Sequence, residues 1–237
     1  MTCESMGLRR EIAESNVRLT SEPRVAGAVH PCLDLMRSRR QTSPKRLIDP
    51  GPSEEQIHAL FEAAAQAPDH GRIRPWRFVH VGAAARPDLG EAFASALRER
   101  DPLATSTQLQ DARDKALRSP FLALAIARLD DAHAEIPAAE RYVSLGCALQ
   151  NMLLGAHALG YGAGLVSGQA VHSRALRDLF GIEARELAVC FMAVGTVSQD
   201  RPTRERPAPR EFVSSLQASA SLGLLLPTGT GIPERPG

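Results

Sequence analysis

Hydrophobic positions follow two different periods along this chain, and the changes of period predict an order of helices and strands. Apolar residues recur at helical spacing over 57–64 and over 138–159, which predicts one amphipathic helix and one long helix. Unbroken apolar runs over 121–127 and 188–194 are typical of strands that are covered on both faces. Shorter segments predict strands over 76–81 and 162–167, and helices over 31–36, 86–100 and 171–180.

Local signals mark the ends of several of these elements. Ser53 is a good N-cap, and Gln56 three residues later completes a capping box. Gly160 is placed to end the long helix. That helix is apolar nearly all round, which predicts that it is buried against the sheet, a partner chain or both.

The composition and the two ends of the chain divide it into three parts. We expect residues 1–30 to be a polar extension, 31–215 a folded domain, and 216–237 a low-complexity, disordered tail. The formal charge of +1 gives no reason to expect nucleic acid as a partner. No secretion signal and no apolar run of about 20 residues is present, so we expect a cytoplasmic protein without a membrane anchor. The four cysteines are scattered, which favours free thiols over disulfides or a metal site.

Two polar segments carry candidate chemistry. Residues 68–75, sequence PDHGRIRP, connect a helix to a strand, and loops held between rigid elements often carry function. Pro68 should end the helix, and Pro75 should keep Arg74 out of the helical conformation. Residues 37–46 form a basic run that is either a solvated turn or a phosphate site, because arginine offers a planar fork of donors. For both segments, the residues alone leave the functional and the solvated interpretation open.

Most familiar catalytic motifs are missing. The glycines of GYGAG at 160–164 follow a helix and enter a strand, whereas a dinucleotide fingerprint follows a strand and opens a helix. The chain has no phosphate-binding P-loop, no GxSxG nucleophile motif and no metal-ligand spacing of histidines. If the chain is an enzyme, its chemistry should come from a bound cofactor.

The pattern APDH-G-x-x-x-PW-x-F at 67–78, with the basic run before it, resembles the nitroreductase-like FMN flavoprotein family. Within that family it is similar to the YdjA-like NAD(P)H nitroreductase branch, over about 33–213. The resemblance implies an α+β fold with a mixed central sheet flanked by helices, in an intertwined homodimer with FMN at the interface. It also implies ping-pong hydride transfer from NADH or NADPH to a nitroaromatic, quinone or similar small-molecule acceptor.

The resemblance also implies which residues hold FMN, while no side chain is implied as catalytic and no metal is involved. At the basic turn, Arg39 would bind the phosphate, and Arg40, Gln41 and Ser43 would line the ribityl chain. Gln41 stands where the family has Ser, and Ser43 lies in what resembles a two-residue insertion.

Three further segments complete the implied site. His70 would contact the flavin ring or the substrate, with Gln66 one helical turn before it. The segment Leu165, Val166 and Ser167 would run beside the ring, and Arg204 or Arg206 would reach the phosphate from the C-terminal arm. Two alternatives remain: another flavin reduction, such as dehalogenation or enone reduction, and a flavin-binding protein with a regulatory or storage role.

Overall fold

A computed structural model of the chain describes residues 30–199, 205–216 and the backbone of 222–224. The helices in these residues are α1 (Pro31–Ser38), α2 (Glu54–Ala65), α3 (Arg86–Arg100), α4 (Ser106–Asp114), α5 (Ala138–Ala158) and α6 (Arg174–Leu179). The strands are β1 (Leu47–Ile48), β2 (Trp76–His80), β3 (Phe121–Arg128), β4 (Gly162–Val166), β5 (Glu186–Val197), β6 (Ser214–Leu216) and β7 (Leu222–Leu224). The elements predicted between 31 and 194 occur in the predicted order, and the structure also contains β1 and α4.

Strand β5 is the centre of a five-stranded sheet. It pairs with β3 along most of its length, with β4 over 191–195 and with β1 at its end, while β2 lies outside β3. These pairings are antiparallel, and one parallel bridge joins Gln41 to Ala163. That bridge attaches the basic turn to the sheet.

Helices cover both faces of the sheet, which explains the unbroken apolar run of β3. Alternate side chains point to opposite faces of a strand, so Phe121 and Ala123 pack towards α2 and α5. Leu122 and Leu124 pack on the other side, against a cluster that includes Leu89 of α3. Both faces are therefore dry, and the prediction of a buried strand is confirmed.

The two clearest helix predictions are also confirmed. Ser53 Oγ accepts a hydrogen bond from the Gln56 backbone N–H and Gln56 Oε1 accepts one from the Ser53 backbone N–H, so the capping box is present. Helix α5 buries one side in the core. Its other side is uncovered in the single chain, where Val143 is 65% exposed.

Several local predictions differ from the structure. The helix predicted over 171–180 is divided, with a 3₁₀ turn at Gln169–His172 before α6. Leu222–Leu224 lies in the segment predicted to be a disordered tail, yet its backbone pairs with β6. The predicted extension before residue 30, and the tail residues 217–221 and 225–237, lie outside the described residues. Among the described helices, none is both long enough and apolar enough to cross a bilayer.

Candidate functional site

The basic turn and the end of β4 meet to form one half of the candidate site. Helix α1 ends at Ser38, and the chain then runs along the edge of β4, where Thr42 N–H donates to the Ala163 carbonyl at 2.9 Å. The Gln41 side chain bridges the same edge, because its Nε2 donates to the Leu165 carbonyl oxygen at 2.8 Å. Two segments that are far apart in sequence are thus joined at one edge of the sheet.

Gly164 permits this close approach. A Cβ at this position would collide with the Thr42 carbonyl oxygen and would lie 3.1 Å from Gln41 Nε2. Backbone cannot move aside as a flexible side chain can. The basic turn therefore docks on β4 only if residue 164 has no side chain.

We expect Gly164→Ala to lower the free energy of unfolding by about 1–3 kcal/mol, the usual cost of forcing extra atoms into packed structure. The free energy of unfolding is measured by urea denaturation followed by circular dichroism. Gly82→Ala is the matched control, since its φ of −66° suits any residue and no atom lies within 4 Å of an added Cβ. Equal stability of the two variants would show that the turn does not dock tightly.

Arg39 carries the strongest electrostatic signal in this half. Its Nη1 is buried and has no hydrogen-bond partner among the described residues. Burial lowers the pKa of Arg39, and the positive charges of Arg206 and Arg40 lower it further. Three guanidinium groups therefore lie near one another, and the buried Nη1 of Arg39 has no acceptor among the described residues. A bound anion would stabilise this arrangement.

The other predicted phosphate ligands differ in what they contact. Arg40 Nη1 donates to the carbonyl oxygens of Arg37, Ser38 and Arg39, so it covers the end of α1. Arg206 lies close enough to Arg39 to affect its pKa, which places the arm beside the basic turn. Arg204, the other arm candidate, lies outside the described residues.

A cavity of about 410 Å³ opens where β4 ends. Its apolar wall includes Phe93, Leu122 and Phe191 from α3, β3 and β5. The predicted residues Ser43, Val166 and Ser167 also line it, whereas Leu165 is on the opposite face. Four basic side chains stand around this cavity, namely those of Lys45, Arg100, Lys115 and Arg118.

Sequence reasoning did not select these four cations as site residues. Lys45 belongs to the basic run, Arg100 ends the helix predicted over 86–100, and Lys115 and Arg118 lie in a polar segment between two predicted elements. The one local signal was position, because Lys115 and Arg118 come just before the buried strand β3. Their convergence depends on packing between α3, α4 and the sheet.

The loop around His70 forms the second half of the candidate site. His70 Nδ1 lies 2.7 Å from Glu140 Oε2, in the first turn of α5. Gly71, Arg72 and Arg74 have φ values of 70°, 54° and 45°, a strained conformation for the two arginines. Arg74 does avoid the right-handed helical region, but it is left-handed rather than extended, and its N–H donates to Asp69 Oδ2 at 2.8 Å.

The remaining predicted residues around this loop have structural contacts. Gln66 is exposed and forms the C-cap of α2, so the helix ends close to Pro68 as predicted. Trp76 packs against the core and its Nε1 donates to Ser144 Oγ at 3.0 Å, so its contacts are structural. One oxygen of this loop, Asp69 Oδ1, is buried without a hydrogen-bond partner among the described residues.

The two halves lie at opposite ends of α5. His70 contacts Glu140 in its first turn, whereas Ser38, beside Arg39, lies 2.8 Å from Nε2 of His157 in its last turn. Helix α5 has 21 residues, which is about 30 Å at 1.5 Å per residue. A single chain therefore does not bring His70 to the Arg39 turn.

The described residues contain no cluster of metal ligands, and one of their three cysteines is a deeply buried thiol. No three His, Cys, Asp or Glu residues there are grouped to hold a metal ion. Cys32, Cys147 and Cys190 are free thiols, as predicted, and Cys3 lies outside the described residues. Burial raises the pKa of Cys190 to about 11, so it stays a neutral, unreactive thiol at physiological pH.

Sequence comparison with known proteins finds a family model and a similar protein. Residues 37–196 match the model of the nitroreductase family. The chain is 31% identical over 185 residues to "Putative NAD(P)H nitroreductase YdjA" of Escherichia coli strain K12, covering 77% of this chain and 97% of that protein.

Two solved structures share the fold. A nitroreductase-like family protein of Bacillus cereus has a TM-score of 0.70 at 17% identity, covering 82% of this chain and 100% of that chain. A nitroreductase of Desulfovibrio desulfuricans, solved in complex with FMN, has a TM-score of 0.60 at 23% identity, covering 80% and 99%. The resemblance stated from the sequence and the predicted α+β fold class are confirmed.

Proposed function

Because the chain belongs to the nitroreductase family, we propose that it is an FMN-dependent oxidoreductase that uses NADH or NADPH to reduce a nitroaromatic, quinone or similar acceptor. The observation that carries the proposal is Arg39, whose buried Nη1 lacks a partner and which stands beside Arg206. A strongly charged anion would accept a hydrogen bond from this donor and offset the positive charges. The terminal phosphate of FMN is such an anion. The FMN bound in the Desulfovibrio desulfuricans relative supports the same cofactor here.

Three groups of residues would hold the three parts of FMN, which are the phosphate, the ribityl chain and the ring system. Arg39 and Arg206 would hold the phosphate. Gln41, fixed to the Leu165 backbone, would stand at the ribityl chain. The apolar cavity beyond Val166 would receive the ring system. FMN supplies hydride transfer when it is bound, so the chain needs no acid–base pair of its own.

The chain's own residues would bind the ring and stabilise charge on it. Phe93, Leu122 and Phe191 form a dry wall that excludes water from one side of the cavity. Lys115 and Arg100, which line the cavity, would favour negative charge at the nearby ring edge. In a ping-pong cycle the donor leaves before the acceptor enters, so the two would use the same place beside the ring in turn.

We further propose that the working unit is a homodimer with FMN at its interface. The His70 loop and the Arg39 turn lie at opposite ends of α5, so a partner chain is needed to bring His70 to the same flavin. Two uncovered apolar surfaces support this assembly. One is the outer side of α5 around Val143, and the other is the arm, where Phe212 is 68% exposed.

Free thiols are typical of proteins in a reducing compartment, and this supports the proposed cytoplasmic location. A cytoplasmic location also agrees with a soluble small-molecule acceptor.

We expect purified protein to be yellow, to contain one FMN per chain and to bleach in an anaerobic titration with NADH or NADPH. Adding menadione or a nitroaromatic should restore the oxidised spectrum, because the acceptor takes the electrons. The test is an absorbance spectrum, cofactor release by heat and chromatography, and stopped-flow titration.

A storage or regulatory flavoprotein would be yellow too, but neither nicotinamide would bleach it rapidly. Finding FAD, or a colourless protein that takes up no added FMN, would contradict the proposed function.

A further inference from the structure

The cavity at the end of β4 carries more positive charge than the proposed cofactor explains. Lys45, Arg100, Lys115 and Arg118 line it, and no carboxylate does so among the described residues. Within the same part of the chain, none of the four makes a side-chain hydrogen bond or ion pair. Arg113, only two residues before Lys115, instead has a partner, since its Nε donates to Glu91 Oε1 at 2.6 Å.

The backbone that carries two of these cations is held rigidly. Arg86 is almost fully buried and donates to three carbonyl oxygens, those of Val81, Ala116 and Pro120. These bonds hold the segment 116–120 at both ends, so Arg118 lies within a fixed backbone and Lys115 directly precedes it. Like charges held close together repel each other, and a bound anion relieves that repulsion.

The proposed FMN would use only part of this charge. Its phosphate has a separate cluster at Arg39 and Arg206, outside the cavity lining. The ring edge gains about one negative charge on reduction, which one or two of the cations can balance. Lys115 and Arg100 are sufficient for that, and Lys45 and Arg118 are left without an anion.

Lys45 and Arg118 are also the two cations that face a second space. An adjoining crevice of about 330 Å³ shares Lys45, Arg118 and Ser119 with the first cavity, and Leu47, Leu117 and Pro120 form its apolar side. Asp49 is the one carboxylate in its lining. A ligand in the first cavity could therefore extend a charged group between Lys45 and Arg118.

Resting on the proposed function, we propose that Lys45 and Arg118 bind an anionic group of the second ligand, the one that exchanges electrons with the flavin. The chemistry required is a carboxylate or phosphate attached to an aromatic or heterocyclic body. The group can come from the acceptor, as in a nitrobenzoate, or from the donor, as the 2′-phosphate of NADPH. The site thus selects charged ligands over their neutral or less charged analogues.

The test compares kcat/KM for a charged ligand with kcat/KM for its uncharged or less charged analogue in the FMN-loaded enzyme. The ratio of the two values is not affected by a general loss of activity. We expect wild type to have about tenfold higher kcat/KM for 4-nitrobenzoate than for 4-nitrobenzamide, or for NADPH than for NADH, as one charge-assisted contact supplies. In the double variant Lys45→Gln with Arg118→Gln, the ratio for the true source should fall to near one. Arg113→Gln is the matched control and should keep the wild-type ratios, because Arg113 pairs with Glu91 outside the cavity.

The two ratios identify the source of the anionic group. A fall in the acceptor ratio alone assigns it to the acceptor, and a fall in the donor ratio alone assigns it to NADPH. If both ratios are near one in wild type, or unchanged in the double variant, the proposal is wrong, whatever happens to FMN affinity.

Failure of the proposed function would look different, since no donor–acceptor pair would then turn over. In that case each ligand is titrated into the purified protein by calorimetry. The ratio of the dissociation constants of the charged and the uncharged member of each pair then replaces the ratio of kcat/KM values. Equal affinities for charged and uncharged members would again overturn the assignment of Lys45 and Arg118.

Discussion

A mixed dimer in which one chain carries Arg39→Glu and the other His70→Ala should keep about half of the wild-type activity, although each variant alone should be inactive. In a symmetric dimer with shared sites, one site of the mixed dimer receives both substitutions and the other receives neither. The structural reason is the distance between the two residues, which contact opposite ends of α5. Co-expression with two affinity tags, followed by tandem purification, isolates the mixed species for assay.

Two controls sharpen this experiment. A chain with both substitutions, paired with wild type, damages both shared sites once and should be inactive. If His70→Ala alone retains turnover, Gly71→Val replaces it, since the φ of 70° at Gly71 is strained for any side chain. A mixed dimer no more active than its parents, with the doubly substituted pairing half active, would show that each site lies within one chain.

Arg39→Ala should weaken FMN binding tenfold to a hundredfold and leave riboflavin binding nearly unchanged. A hydrogen bond to a charged group contributes about 1.5–3 kcal/mol, and riboflavin has no phosphate to lose. The buried Nη1 without a partner identifies Arg39 as the donor that this anion would satisfy. Fluorescence quenching of each flavin on titration with apoprotein gives both dissociation constants.

Arg37→Ala is the matched control for that experiment. Arg37 precedes Arg39 by two residues, is exposed and pairs with Asp34 at 3.3 Å, so its removal should change neither constant. His70→Ala is expected to act on both flavins alike, or to reduce turnover while FMN stays bound. Equal weakening of FMN and riboflavin by Arg39→Ala would refute the phosphate assignment and leave the arm residues Arg204 and Arg206 to be tested.

Much of the fold was predictable because its signals are local. The capping box at Ser53 and Gln56 depends on residues three positions apart, and the glycine after α5 depends on one backbone angle. The apolar run of β3 reports burial on both faces without naming what buries it. Likewise, the APDH pattern and the basic turn were enough to identify the family and, through it, to propose the cofactor.

The amino-acid sequence was therefore sufficient to predict the order of elements, the family and the positions of the Arg39 turn and the His70 loop. The three-dimensional packing was needed to show that these two segments lie at opposite ends of α5. It was also needed to show that one cavity is lined by Lys45, Arg100, Lys115 and Arg118. The physical reason is that periodicity and turn chemistry act between near neighbours in the chain. Strand pairing and helix packing join residues more than a hundred positions apart, such as Gln41 and Leu165, and no local pattern records which partner each segment takes.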